Sequence, residues 1–291
     1  MAAQKQPKVI LFDIGGVCVV SPFQSILDYE LSLGIPPGWV NYSISKSAPA
    51  GFWHRLEKGE IPMDREFFAG FNRDLHNPAR WAAFYEAQRS KNPALPAALP
   101  PLPQVDGEWL FNDMMTVSQQ PDPWMLPALE RLRASGRYVI AALSNTVIFP
   151  DGHPLGDPAD QGGFFGHPVR RLFDVFVSSA HVGLRKPDPA AFRYALREVD
   201  RFASTNAAVR DPDGSLGWRH GVEPGDVLFI DDIGENLKAG KREGLRTLKV
   251  SLGRAFEAVD ELERITGLAL AGDHPRIPVE PKMPSNLKAK M

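Results

Sequence analysis

The sequence predicts an α/β protein with a mostly parallel sheet and an all-helical cap inserted after its first strand. Three observations lead there. Short apolar runs each close on polar residues, helical patterns alternate with those runs, and about a hundred residues of helical spacing separate the first run from the second.

The first run, "VILFDI" (9–14), meets two glycines and carries one carboxylate, Asp13, at the break. Segments such as "PFQSILDYELSLG", "GFWHRLEKGE", "DREFFAGFNRDL" and "ARWAAFYEAQRS" then place apolar and aromatic residues at helical spacing. Most of their aromatics, including Trp53, Phe67, Phe68, Phe71 and Trp81, are expected in the cap's own core, with one or two left to line a pocket. "NPALPAALPPLPQ" (92–104) reads as an extended loop, because each proline removes a donor and fixes φ. A helical pattern over 123–136, stopped at Gly136, leads into the second run, "YVIAALSN" (138–145). The Gly-, Pro- and Asp-rich stretch 147–168 predicts a long loop at the mouth of the crevice, with His153 and His167 within reach of a substrate. A helix over 189–202, the run "DVLFIDD" (226–232) and a further strand, "TLKVS" (247–251), complete the pattern. The expected division is a core of 1–20 and 121–271, a helical cap of 21–120 and a flexible tail of 272–291.

Composition narrows the function classes. The 291 residues are 43% hydrophobic and 23% charged with a formal charge of -2, which argues against a nucleic-acid partner. A single cysteine, Cys18, leaves no intramolecular disulfide and no cysteine-rich zinc site. The start "MAAQKQPK" is too short and polar for a signal peptide, and no apolar run has the length of a membrane span. A soluble cytoplasmic protein is expected. The final Ala289-Lys290-Met291 offers a peroxisomal alternative, through a small–basic–apolar address. The oligomeric state stays open.

In parallel α/β sheets the chemistry gathers beyond the carboxyl ends of the strands. There the sequence supplies Asp13, Ser144 with Asn145, Lys186 in "GLRKPDP", and Asp231-Asp232 with Asn236 in "FIDDIGENLKAG". This ordered set resembles the haloacid dehalogenase-like hydrolase superfamily, on roughly 7–20 and 123–265. The resemblance implies a doubly wound HAD-like core and a Mg²⁺-dependent phosphatase acting on a small phosphorylated substrate. Asp13 would be the nucleophile, ionised at neutral pH with a reference pKa of about 3.9, and would form an aspartyl-phosphate. Asp13, Asp232, Asp231 and the Gly15 carbonyl would hold Mg²⁺. Lys186 would supply fixed positive charge to the nucleophile and the phosphoryl oxygens, which Ser144 and Asn145 would help to bind. Asn236 and Glu235 would support the metal site from behind.

One position departs from that pattern. Phosphatases of the superfamily carry a second Asp two residues after the nucleophile as general acid and base, and here the residue is Gly15. General acid–base catalysis contributes roughly 10²–10⁴ in rate, so its loss slows turnover without necessarily abolishing it. Four readings stay open: a phosphatase of a small ester or diphosphate, whose acid the cap or a loop histidine could supply; a metal-free dehalogenase, which leaves Asp231-Asp232 unexplained; a prenyl-diphosphate-processing enzyme of a terpenoid pathway, cyclase or diphosphatase; and a degenerate protein that binds phosphate without turnover. "DDIGE" (231–235) matches the Asp-Asp-x-x-Glu pattern of terpene synthases. Several stretches, "GFWHRLEKGEI" and "VGLRKPDP" among them, look like the phosphatase-like N-terminal domain of soluble epoxide hydrolases. The chain leaves no room for their epoxide-opening domain, so epoxide hydrolysis is not expected.

Overall fold

The computed structural model describes residues 5–155 and 169–282. Strand β1 (Val9–Phe12) is followed by six helices: α1 (Pro22–Ser32), α2 (Trp39–Ser47), α3 (Phe52–Glu57), α4 (Arg65–Leu75), α5 (Pro78–Lys91) and α6 (Gly107–Val117). The chain continues through α7 (Met125–Ser135), β2 (Val139–Ser144), β3 (Val175–Ser178), α8 (Ser179–Val182), α9 (Pro189–Arg210), β4 (Val227–Asp231), α10 (Gly234–Arg242), β5 (Arg246–Lys249) and α11 (Ala255–Thr266).

The five strands pair in parallel in the order β3-β2-β1-β4-β5, with Val9 opposite both Val139 and Val227. Side chains alternate along a strand, so Ile10 and Phe12 enter one apolar cluster with Leu129 and Leu132 of α7 and Val259 and Leu262 of α11. Val9 and Leu11 enter a second with Phe192, Ala195 and Val199 of α9 and Ala239 of α10. Helices therefore cover both faces of the sheet, which is why β1, β2 and β4 are buried along their whole length and apolar up to the closing Ser144 and Asp231. The α/β class and parallel, doubly wound arrangement agree with the sequence. Strand β3 was not anticipated, because at the sheet edge its first two residues are only half-buried and its run is short.

Local chemistry sets the helix ends. Ser21, Asp64, Asn77 and Asp188 each accept backbone N–H groups at the start of a helix, and Pro22, Pro78 and Pro189 occupy first turns. Gly136, at φ 66°, ends α7. A third apolar cluster joins α1 to α6 around Trp39, Phe67, Phe71, Trp81 and Phe111. The two chain crossings into these helices lie side by side, with Val20 N–H donating to Gln120 O (2.8 Å) and Asp122 N–H to Cys18 O (3.0 Å).

Residues 272–282 do not leave the globule as the sequence suggested. The Pro275 carbonyl accepts the Trp124 indole N–H at 3.0 Å, Val279 N–H donates to Gly253 O at 3.0 Å, and Lys282 N–H reaches Asp28 Oδ1 at 2.8 Å. The remainder of the predicted tail, including Ala289-Lys290-Met291, lies outside the described residues. Among those described, no helix is long and apolar enough to cross a membrane.

Candidate active site

The carboxyl ends of β1 and β4 bring together the first acidic residues. Asp13 extends the β1–β4 ladder through its N–H to Ile230 O (2.8 Å), while its Oδ1 accepts Ile14 N–H at 2.6 Å. The chain then doubles back, with the N–H groups of Val17, Cys18 and Val19 all pointing at the Ile14 carbonyl. Gly16 makes this turn possible. Its φ is +75°, and a Cβ there would sit 2.2 Å from Asp232 Oδ2. Gly15 is less constrained, since a Cβ would meet only Pro22, at 3.7 Å. The missing carboxylate is therefore a difference of chemistry and not of available space.

Lys186 is fully buried and its ammonium lies 2.8 Å from Asp13 Oδ2 and 2.7 Å from Asp231 Oδ2. Asp231 is also held by Ile233 N–H at Oδ1 and by the Asn236 amide, 3.1 Å from both oxygens. Burial by itself would lower the Lys186 ammonium, but Asp13 and Asp231 outweigh it and hold the pKa above its ordinary value. Burial pushes the Asp13 carboxyl up to about 7, against the pull of Lys186 and with a further push from Asp231. Burial, Asp13 and Asp231 likewise raise Asp232 well above the usual carboxylate range.

These observations fit a divalent cation. Asp13, Asp231 and Asp232 each offer an oxygen within 4.8 Å of the others, and among the described residues Lys186 alone balances them from within the cluster. Asp232 Oδ1 is buried and has no hydrogen-bond partner among the described residues. Hard cations take carboxylate oxygens, so a bound Mg²⁺ would satisfy that atom and offset the repulsion. Asp231, expected among the ligands, is the most heavily engaged of the three, since its oxygens also hold Lys186 and Asn236.

Other predicted residues fall differently. Ser144 closes β2, buried, and lines the chamber together with Gly15. Asn145 instead clamps the Lys186 backbone, with Oδ1 accepting its N–H at 2.8 Å and Nδ2 donating to its carbonyl at 3.0 Å. Its amide thus places the lysine, and the residue also lines the chamber. Asn236 sits behind Asp231 as anticipated. Glu235 does not join the site: it is exposed on the first turn of α10 and pairs with Lys238 at 2.7 Å. The Asp-Asp-x-x-Glu stretch accordingly does not converge on one point.

The chamber, about 210 Å³, has Gly15 and Ser144 among its lining and Trp53, Met114, Met115, Val147, Phe149 and Phe176 around it. Of the five aromatics singled out in the sequence, Trp53 reaches this chamber, while Phe67, Phe71 and Trp81 are buried in the helical cluster and Phe68 packs against it. His153 stacks on Phe149 with ring centroids 4.8 Å apart. His167 lies outside the described residues. Sequence reasoning missed Glu57, a buried acid from α3 whose Oε2 takes the Arg185 Nε–H at 2.8 Å. The one available signal was an arginine immediately before Lys186.

No family model matches the chain. It is 27% identical over 263 residues to acyl-CoA dehydrogenase family member 10 of Mus musculus, covering 90% of this chain and 19% of that protein. Bifunctional epoxide hydrolase 2 of Rattus norvegicus is 23% identical over 265 residues, 89% of this chain and 39% of that one. Drimenol cyclase drtB of Aspergillus calidoustus is 28% identical over 131 residues, 45% and 18% respectively. The chain thus spans about two fifths or less of these relatives' length. A HAD family enzyme from Bacteroides thetaiotaomicron, solved with magnesium and inorganic phosphate, is 19% identical with a TM-score of 0.42, covering 85% of this chain and 96% of that one.

Proposed function

From the premise that this chain is a haloacid dehalogenase-like protein, of the HAD hydrolase type, we propose that it is a Mg²⁺-dependent phosphohydrolase of a small phosphate ester or diphosphate. One observation carries the reading: Asp13 and Asp232 meet at the strand ends beside a fully buried Lys186, and Asp232 keeps a buried oxygen without a partner among the described residues.

Asp13 would attack phosphorus, forming a carboxyl O–P bond as the P–O bond to the leaving group breaks, and water would then cleave the aspartyl-phosphate to inorganic phosphate and a free carboxylate. Bound Mg²⁺ would supply charge that lets a carboxylate approach an anionic phosphoryl group. Lys186 keeps one Asp13 oxygen fixed, and the Ser144 hydroxyl, which lines the chamber, would donate to a phosphoryl oxygen. Asn145 keeps Lys186 in register.

The apolar chamber and the partial similarity to a drimenol cyclase favour a second reading, a prenyl diphosphate as substrate. Release of inorganic phosphate from a panel of esters and diphosphates, with Mg²⁺, tests the first reading. The protein should turn over at least one of them and Asp13→Asn none. Absence of turnover in both would leave a phosphate-binding protein. A cyclised organic product from a prenyl diphosphate would favour the second reading.

A further inference from the structure

We propose that a hydroxyl–imidazole chain, Thr146–Ser178–His181, carries to the leaving oxygen the proton that Gly15 cannot supply. The proposal rests on the phosphohydrolase reading and names the donor that reading lacks.

Thr146 lies two residues beyond Ser144 and lines the same chamber. Its Oγ1 is 2.6 Å from Ser178 Oγ, and Ser178 Oγ is in turn 2.6 Å from His181 Nδ1. Ser178 is buried at the end of β3, whereas His181, on α8, is exposed. The chain therefore runs from the chamber to solvent, through one buried hydroxyl. The chamber end is braced: Ser179 Oγ accepts Thr146 N–H at 2.8 Å and donates to the Glu57 carbonyl at 2.5 Å.

A hydroxyl has one hydrogen to give and two lone pairs to receive. When His181 is protonated at Nδ1 it donates to Ser178, and Ser178 donates to Thr146. The Ala180 N–H, 3.4 Å from Thr146 Oγ1, approaches the other lone pair. Thr146 keeps its own hydrogen for the chamber. As the P–O bond breaks, that hydrogen passes to the leaving oxygen, Ser178 reprotonates Thr146, and His181 reprotonates Ser178, ending neutral. When water attacks the aspartyl-phosphate, its proton returns along the same path to His181, so no proton is lost over the cycle. Imidazole suits the outer end because its ring nitrogens can both give and take a proton. Among the described residues, the titratable and charged groups on α3, which packs against α8, are His54, Arg55 and Glu57, with Lys58 just beyond it and Arg185 after α8; Glu57 and Arg185 pair with each other.

The test compares initial rates with Mg²⁺ on p-nitrophenyl phosphate, whose phenolate leaves with little help, and octyl phosphate, whose alkoxide needs a proton. Thr146→Val, Ser178→Ala and His181→Gln should each lower the octyl-to-aryl rate ratio, by about 100-fold for Thr146→Val, the scale of a lost general acid. Thr146→Ser should recover most of that ratio. His181→Gln, a surface change, keeps the test open if a buried variant fails to fold. A purely structural chain would depress both esters together, and an unmoved ratio overturns the relay while Asp13-dependent turnover upholds the hydrolase. Absence of Asp13-dependent turnover on both esters overturns the relay, and silence across the panel of esters and diphosphates overturns the hydrolase as well.

Discussion

Replacing Lys186 by Met tests whether the buried charge cluster holds the site together. Methionine has similar length and no charge, so the change removes the ammonium that lies 2.8 Å from Asp13 and 2.7 Å from Asp231 while largely filling its volume. Lys186 is fully buried and Asp231 is 0% exposed, so solvent cannot screen the loss. Removing one partner of a buried ion pair costs about 3–5 kcal/mol, because an uncompensated charge is left behind. At about 2–4 °C per kcal/mol for a chain of 150–250 residues, Tm should fall by roughly 6–20 °C. Thermal unfolding followed by circular dichroism, with a chelator present, measures this. The double variant Lys186→Met with Asp231→Asn should lose less than the sum of the singles by more than about 1 kcal/mol, since both act on one contact. A Tm drop under about 2 °C, or additivity, would refute the coupling inferred from the geometry.

Gly16→Ala should weaken Mg²⁺ binding in calorimetry and lower stability by about 1–3 kcal/mol, because the new Cβ would meet Asp232 Oδ2 at 2.2 Å in a left-handed backbone; unchanged affinity would show that Asp232 is not a ligand. Burial, opposed by N–H donors from Gly38 and Val40, raises Glu30 from 4.5 to about 7. The folded state then holds this proton more tightly than the unfolded chain, so the associated stability is complete below pH 4.5 and is lost as pH rises to about 7, an effect of up to ~3 kcal/mol. Urea midpoints across that range should fall for the native protein and flatten in Glu30→Gln.

The fold was legible where burial on both faces forces an unbroken apolar run, as at β1, β2 and β4, and where a helix carries its own stop, as at Gly136. Edge strand β3 escaped notice because a half-buried strand of four residues leaves little pattern. At the site, residue types and order pointed to Asp13, Lys186 and Asp232, but spacing could not assign hydrogen bonds. Asn145 holds the Lys186 backbone, and Glu235 turns outward because the first turn of α10 carries it away from Asp231. Nor could one sequence pair Thr146 with Ser178 or Glu57 with Arg185, contacts separated by 32 and 128 positions.

In the proposed reaction Asp13 becomes covalently phosphorylated. Rapid acid quench of the protein with Mg²⁺ and p-nitrophenyl phosphate, followed by mass spectrometry of the peptide containing Asp13, tests it most directly. The expected result is the mass of one added phosphoryl group on that peptide, accumulating as fast as the first equivalent of p-nitrophenolate appears. Turnover with the Asp13 peptide unmodified at every quench time, or with the phosphoryl group on another residue, would contradict it.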